Sequence, residues 1–438
     1  MYISSVKLKD FRCYHRAETT FVHPGAALDL PNDALKNVTL LVGVNGTGKT
    51  SILRAVALGV LAPIISVSGY RPYYLVRQTR AGAKAIVKGS VVVDGILDDC
   101  ETAALVESKP VEESPNSIRS GIEIIHINDY EYIGIKLDPD YKDLGDLPNA
   151  RPVRQQTVLP FRFVYNKESG GAYRSQAMIA GTEFSNDFSP NFFLLGYGSS
   201  RRVEEPGRTQ SGTDKSRGRR YLRSAGLFEE AITLSPLVGW LSQLKKSKRF
   251  EEVVSLLNQT LPVGTKFSGR FGKDKQPIFI YQLVELPFPA LSDGYRSYIG
   301  LLGDILCHLH ECCPKNRSLI DMTGVVMIDD IEMHLHPKWQ RNVVPRLAKS
   351  FPNLQFLFST HSPLVAGSVH AANVRVIAKN QVHQFAERLN GLSVDQILSS
   401  PYFDYTPPRS DEAEKQLKAL LEGPILGEST DSALEFLK

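Results

Sequence analysis

The chain has 438 residues, 42% of them apolar and 22% charged, enough for two or three domains of an ordinary globular protein. Its formal net charge of +4 is too near zero to argue for a nucleic-acid partner by itself, so any basic surface must be local. Five cysteines in no disulfide-like spacing point to a reducing compartment, and the start MYISSVKLKDFRCYH lacks the apolar core of a signal peptide.

In the first residues, Ile3, Val6, Leu8 and Phe11 alternate with lysines, which predicts a half-buried strand. A second strand, NVTLLVG, runs from Asn37 to Gly43 and leads through a Gly-rich turn into the helix-like SILRAVALGVLA. The most apolar run, AVALGVLAPIISVSG, is too short to span a membrane and holds Pro63. The expectation is a soluble cytoplasmic protein with no membrane partner. From about 85 to 164, the runs AIVKGSVVVDGIL, GIEIIHI, YEYIGIKL and TVLPFRFVY predict an antiparallel sheet beside the core.

FFLLGYGSS (Phe192–Ser200) predicts a short buried strand, and the polar, Gly-rich, basic segment after it predicts a surface loop. Helical spacing between Leu227 and Leu261 predicts two amphipathic helices, and YQLVELPF predicts another strand. After Ser292, the helix YRSYIGLLGDILCHLH precedes GVVMIDD, PKWQRNVVPRLAKS and LQFLFST, a strand–helix–strand order that predicts parallel βαβ units. No repeat or sustained heptad pattern appears.

GVNGTGKT, Gly43–Thr50, fits G-x-x-x-x-G-K-[ST] between a predicted strand and a predicted helix, the context that confirms a phosphate loop. Gly43, Gly46 and Gly48 let successive backbone N–H groups face phosphates, with Asn45, Thr47 and Ser51 completing the cradle. The helix start adds its positive dipole end. Lys49 is placed to reach the β/γ-phosphates of ATP, and the Thr50 hydroxyl to ligate Mg²⁺.

VMIDDIEMHLHP, Val326–Pro337, holds Asp329, Asp330, Glu332, His334 and His336 and invites a metal reading. In a helix, His334 and His336 would point to different faces, and the HExxH spacing is absent, so a zinc site is not favoured. The apolar run before Asp329 predicts a buried central strand whose carboxyl end faces the ligand crevice. Asp329 is then the Mg²⁺ carboxylate and Asp330 the group that orients the attacking water. CHLHECC, Cys307–Cys313, also resembles a metal cluster but lacks paired C-x₂₋₄-C knuckles and is expected as core of a helix. Arg201, Arg202, Arg217, Arg219, Arg220 and Arg223, with KKSKR at 245–249, can contact DNA or RNA phosphates or form a solvated or partner-docking face. Arg201 and Arg202 follow a buried strand directly and can instead lie near the ATP crevice.

Five motifs in order, VKLKDFRCY, GVNGTGKT, LSDGYRS, VVMIDDIEMHLHP and STHSP, resemble an ABC-type ATPase of the RecF/SMC/OLD-like branch, a group often named AAA family ATPases. The fold implied is α/β: a P-loop NTPase with an ABC-type ATPase head, a mostly parallel central sheet, an antiparallel β-subdomain and a helical insertion. The divisions implied are 1–200 (N-terminal lobe), 201–285 (basic loop and helical insertion), 286–390 (C-terminal lobe) and 391–438 (helical tail). The resemblance makes LSDGYRS the signature and His361 the switch histidine. It implies a homodimer or higher oligomer in which two heads sandwich ATP, with Ser292 and Gly294 acting in trans. Arg12 is a candidate nucleotide contact, and Gln78 a candidate for the glutamine loop. Relatives carry Glu where this chain has Asp330, so slow turnover is expected, since misplacing a catalytic carboxylate can cost about a hundredfold.

OLD-family relatives carry a TOPRIM nuclease, and with about a hundred residues after the Walker B strand no such domain is expected here. Septu-type and PARIS-type ATPases resemble this arrangement, with a separate nuclease or toxin as effector in antiphage defence. GLSVDQILSSPYF also resembles a segment of such ATPases. A RecF/SMC-like DNA-repair or chromosome ATPase is an alternative, although no heptads provide an SMC arm. A slowly hydrolysing nucleotide-bound scaffold is a third.

Overall fold

The computed structural model describes residues 1–25, 30–65, 86–96, 117–127, 130–134, 186–203, 217–245, 247–272 and 275–403, with Ser68, Tyr70, Leu75 and Arg77. Gln78, Cys100, the predicted strand TVLPFRFVY, residues 204–216 and the tail from 404 lie outside the described residues.

Three fully buried strands form the centre: β3 (Val38–Val42), β13 (Gly324–Ile328) and β14 (Leu354–Thr360). Such near-continuous apolar runs belong to a parallel sheet covered on both faces. With β7 (Leu194–Tyr197), β15 (Val374–Ala378) and β16 (Gln381–His383), they form a six-stranded sheet of order β16-β15-β3-β14-β13-β7. All its neighbours pair in parallel except β15 with β16.

The two faces of this sheet feed two cores. Leu41, Val325, Met327 and Leu357 pack with the helix Lys49–Ile65 and the N-terminal strands. Their neighbours Leu40, Val326, Ile328, Phe356 and Phe358 pack on the other face with the helices Asp293–Cys312 and Pro337–Ser350. Period-two alternation along each strand therefore separates the layers. Strands from 1–200 and from 286–390 interleave in this one sheet.

The antiparallel sheet has the order β2-β1-β4-β5-β6: β1 (Tyr2–Phe11), β2 (Tyr14–Thr20), β4 (Ile86–Ile96), β5 (Ser117–Ile127) and β6 (Tyr130–Gly134). In β1, Val6 and Leu8 are buried while Lys7 and Lys9 are exposed. Phe11 pairs with Tyr14, so Arg12 and Cys13 form the tip of a tight hairpin.

The segment 201–285 holds more strand than its sequence suggested. Arg202–Val203 (β8) pairs with Thr233–Leu234 (β9). Three short helices, Arg219–Ala225, Leu237–Leu241 and Lys248–Thr260, precede a meander of β10 (Thr265–Phe271), β11 (Pro277–Tyr281) and β12 (Val284–Pro287). YQLVELPF is not one strand. Tyr281 pairs with Val284 across Gln282 and Leu283, whose φ values of 47° and 70° form a two-residue hairpin turn. Among the described residues, no helix is long and apolar enough to cross a membrane.

Candidate active site

The loop after β3 and the helix that begins at Lys49 carry the phosphate-loop sequence. Gly46 and Gly48 hold φ of 81° and 107°, a region that side-chain-bearing residues rarely adopt. At Gly48 a Cβ would also lie 2.6 Å from both the Cys13 sulfur and the Tyr14 hydroxyl, so the β1–β2 hairpin sits directly on the loop. Tyr14 donates to the Thr47 carbonyl at 3.5 Å, and the Thr47 hydroxyl donates to the Val44 carbonyl at 2.9 Å.

A cavity of about 410 Å³ opens here, lined by Arg12, Cys13, Asn45, Gly46, Gly48, Lys49, Thr50, Ser51 and Asp330. Most of the residues selected from sequence thus meet in one place. Arg12 reaches it because the hairpin turn bends over the loop, with Arg12 at φ 50°. Gly43 supplies a carbonyl to Lys49 instead of lining the cavity. The Lys49 ammonium donates to the carbonyls of Gly43 (2.8 Å) and Val44 (3.0 Å). Burial pushes its pKa down, against the pull of Asp330, Asp329 and Glu332.

The end of β13 brings the carboxylates opposite. Thr50 donates its hydroxyl hydrogen to Asp329 Oδ2 at 2.8 Å, and the Ser359 hydroxyl donates to Asp329 Oδ1. Ser359 also accepts from the Asp330 amide at 2.8 Å, which links β14 to the turn. Asp330 is left-handed at φ 46°. Burial raises its pKa, and the nearby charges of Asp329 and Glu332 raise it further. His361 lies just beyond β14, with Nδ1 3.4 Å from Asp330 Oδ1 and Nε2 3.5 Å from Glu332 Oε1. Glu332 accepts from the Thr360 hydroxyl at 2.7 Å and the His361 amide at 2.8 Å, clamping the loop after β14 to the turn after β13.

Asp330, Glu332 and His361 place ligand atoms within 4.8 Å of one another. The histidine in this group comes from β14's end and not from the HLH of the opening motif. His334 and His336 are exposed, and His336 caps the helix Pro337–Ser350 by accepting from the Lys338 amide at 3.3 Å. The Thr50 hydroxyl and Asp329 carboxylate are hard oxygen donors of the kind Mg²⁺ prefers, so the chain's residues fit a magnesium nucleotide.

Ser292 and Gly294 open the helix Asp293–Cys312 and are not among the residues lining the cavity. Ser292 occupies the N-cap position, yet its side chain makes no capping bond and is exposed. A Cβ on Gly294 would lie 2.6 Å from the His334 carbonyl, so the helix start packs on the loop after Walker B.

Several of the described arginines turn inward. Arg220 is buried and donates to the carbonyls of Asn186, Asn191 and Phe192. Arg217 makes a bidentate pair with Glu229, Arg219 pairs with Glu311, and Arg223 donates to the Asp187 carbonyl. Arg249 pairs with Glu252. Among the described residues, these arginines therefore have partners within the chain. Arg202, Lys245 and Lys248 remain exposed. Arg201 did turn inward toward the crevice, donating to the Asp330 carbonyl. Nothing in its local sequence distinguished it from Arg202. Glu332 and Ser359 were also missed as site residues, although Glu332 belongs to the D-D-x-E run already in view.

Family models of AAA ATPase domains match two segments. Residues 5–63, with the hairpin and the Gly43–Thr50 loop, match "AAA domain", and residues 281–367, with LSDGYRS, β13 and the loop after β14, match "AAA domain, putative AbiEii toxin, Type IV TA system". The segments that build the site are therefore the ones similar to AAA domain models.

It is similar to "Retron Ec83 probable ATPase" of Escherichia coli, 33% identical over 31% of this chain and 25% of that protein. It is similar to "Retron Vc95 probable ATPase" of Vibrio cholerae, 42% identical over 21% and 18%. Septu protein PtuA of Bacillus mycoides is 33% identical over 34% of this chain and 21% of that relative. The chain thus spans a quarter or less of the length of these curated relatives. Among solved structures, an SMC head bound to the C-winged helix domain of ScpA superposes with a TM-score of 0.46 at 14% identity, covering 89% of this chain and 99% of that one.

Proposed function

We propose that this chain is an ATPase that closes with a second copy around MgATP and governs a separate nuclease or toxin in prokaryotic antiphage defence. The observation that carries the ATPase reading is the Thr50–Asp329 hydrogen bond beside a cavity floored by the phosphate loop, with Asp330 and His361 next to it. In this reading Lys49 leaves the Gly43 and Val44 carbonyls for the β/γ-phosphates. Thr50 and Asp329 would hold the magnesium, which would neutralise charge on the phosphate oxygens. Asp330 orients the attacking water, and His361 contacts the γ-phosphate. Arg12, Asn45, Gly46, Gly48 and Ser51 hold the triphosphate from the loop side.

The exposed, uncapped Ser292 and the close-packed Gly294 suit a signature loop that meets a partner's nucleotide. An Asp where relatives have Glu supports slow turnover. Likeness to retron ATPases and Septu protein PtuA supports the defence setting. The inward arginines weigh against a DNA-clamping role through that segment.

Two experiments test the parts separately. Purified protein is expected to hydrolyse ATP slowly, with Asp330→Ala reducing turnover further; turnover matching Glu-bearing relatives and unchanged in Asp330→Ala sinks the assignment of Asp330. Co-purification with the products of neighbouring genes in the presence of ATP is expected to retain a nuclease or toxin in fixed ratio. A lone dimer that retains DNA only with ATP contradicts the defence reading.

A further inference from the structure

Arg201 is a buried arginine in an unusual place. It lies just after β7, the strand beside Walker B, where Tyr197 pairs with Ile328 and the Tyr197 carbonyl accepts from the Asp329 amide at 2.8 Å. The chain leaving β7 therefore passes next to the Walker B turn. The Arg201 side chain is 8% exposed and donates from Nη2 to the Asp330 carbonyl. That carbonyl also accepts from the Met333 amide at 2.9 Å, which closes the turn. Arg201 does not line the nucleotide cavity.

The arrangement solves a local problem. Asp329, Asp330 and Glu332 crowd three carboxylates at one strand end, and Asp330 holds a left-handed backbone. Lys49 approaches this cluster from the cavity side and is needed by the phosphates. Arg201 is a second cation, on the strand side, and its planar guanidinium is a fixed donor that a lysine reproduces poorly. Because Asp330 is one methylene shorter than Glu, its carboxylate position depends more directly on where the backbone turn is held.

We propose that Arg201 is a positioning residue of the ATPase site: bound to the Asp330 carbonyl, it holds the Walker B turn in the geometry hydrolysis needs and takes no part in binding the nucleotide. The proposal rests on the ATPase reading above.

The test compares the full chain with Arg201→Met and Arg201→Lys by three measurements: steady-state hydrolysis, Mg²⁺-dependent affinity for a fluorescent ATP analogue, and amide hydrogen exchange of the segment 328–335 without nucleotide. Arg201→Met is expected to lower kcat by roughly 30- to 100-fold. Affinity should stay within about twofold, because the residue lies outside the cavity. Exchange in 328–335 should rise locally while the phosphate-loop segment is unchanged. Arg201→Lys should recover part of kcat. The proposal is overturned by a kcat within twofold of the unaltered chain, or by unchanged exchange in 328–335. It is equally overturned if kcat, affinity and melting temperature fall together, since that marks general destabilisation. If the unaltered chain binds ATP but never hydrolyses it, the ATPase reading fails, and the exchange measurement alone then decides whether Arg201 holds the turn.

Discussion

DDIEMHLH, at the end of β13, and CHLHECC, at the end of the helix Asp293–Cys312, are similar in composition, and both looked like metal clusters. The structure gives them opposite fates. The first leaves a buried strand at the edge of a cavity, so its carboxylates face Lys49, Thr50 and His361. The second stays inside packed helix, where Cys307, Cys312 and Cys313 are buried as small apolar side chains. Its His308 and Glu311 are paired within the fold. His308 lies 3.3 Å from Asp304 and 3.4 Å from Glu311, while Tyr197 and the Ser235 amide donate to Asp304, each at 2.7 Å. Charges at a strand's carboxyl end can meet a ligand; the same residue types within a covered helix must satisfy one another.

The contrast can be broken most severely at Lys49. Lys49→Ala is expected to reduce ATP turnover by at least about a hundredfold while changing the melting temperature far less, because the ammonium's hydrogen bonds in the fold go to loop carbonyls. A steady-state phosphate-release assay with a thermal melt checks both halves. Asp304→Ala should do the reverse. It leaves the Tyr197 hydroxyl and the His308 ring without their shared acceptor and should cost about 3 kcal/mol in stability, the usual scale for breaking a buried pair. Urea unfolding reads the loss, and ATP affinity should move little.

A smaller effect comes from pH. Burial alone would lower the His308 pKa, but Asp304 and Glu311 outweigh it and raise it to about 9 from 6.5. Protonated His308 therefore adds stability below pH 6.5, and that contribution disappears as pH rises through 9. Burial would raise the Asp304 pKa, yet His308 and its hydrogen bonds hold it at about 2 from 3.8, so its contribution is present above 3.8 and fades as pH falls toward 2. Melting temperature should fall between pH 6.5 and 9 in the native chain and fall less in His308→Gln. The smallest expected effects belong to the exposed histidines. His334→Ala should change little, His336→Ala should lose only a helix cap of about 1 kcal/mol, and a zinc chelator should leave both melting temperature and ATP binding unchanged.

Where chemistry is local, the sequence was legible. LQFLFST became β14 and PKWQRNVVPRLAKS a helix with the same limits, because a buried parallel strand and a Pro-started amphipathic helix each write themselves into a short window. The phosphate loop was legible for the same reason. YQLVELPF was misread because its turn uses Gln282 and Leu283 in place of the Asn and Gly that usually mark a two-residue hairpin. The arginine-rich segment was ambiguous because its partners, Asn186, Asp187, Asn191 and Glu311, lie before it or far along the chain. Arg201 was no more legible than Arg202 for a similar reason: a contact with Asp330 exists only once β7 lies beside β13.

The most direct test of the central claim, that the acidic strand end serves a magnesium nucleotide, is calorimetric ATP binding with and without Mg²⁺ to the unaltered chain and to Asp329→Ala. The account predicts binding that Mg²⁺ strengthens in the unaltered chain and that loses this Mg²⁺ dependence in Asp329→Ala. Equal Mg²⁺ dependence in both proteins, or tight zinc binding that excludes ATP, would contradict it.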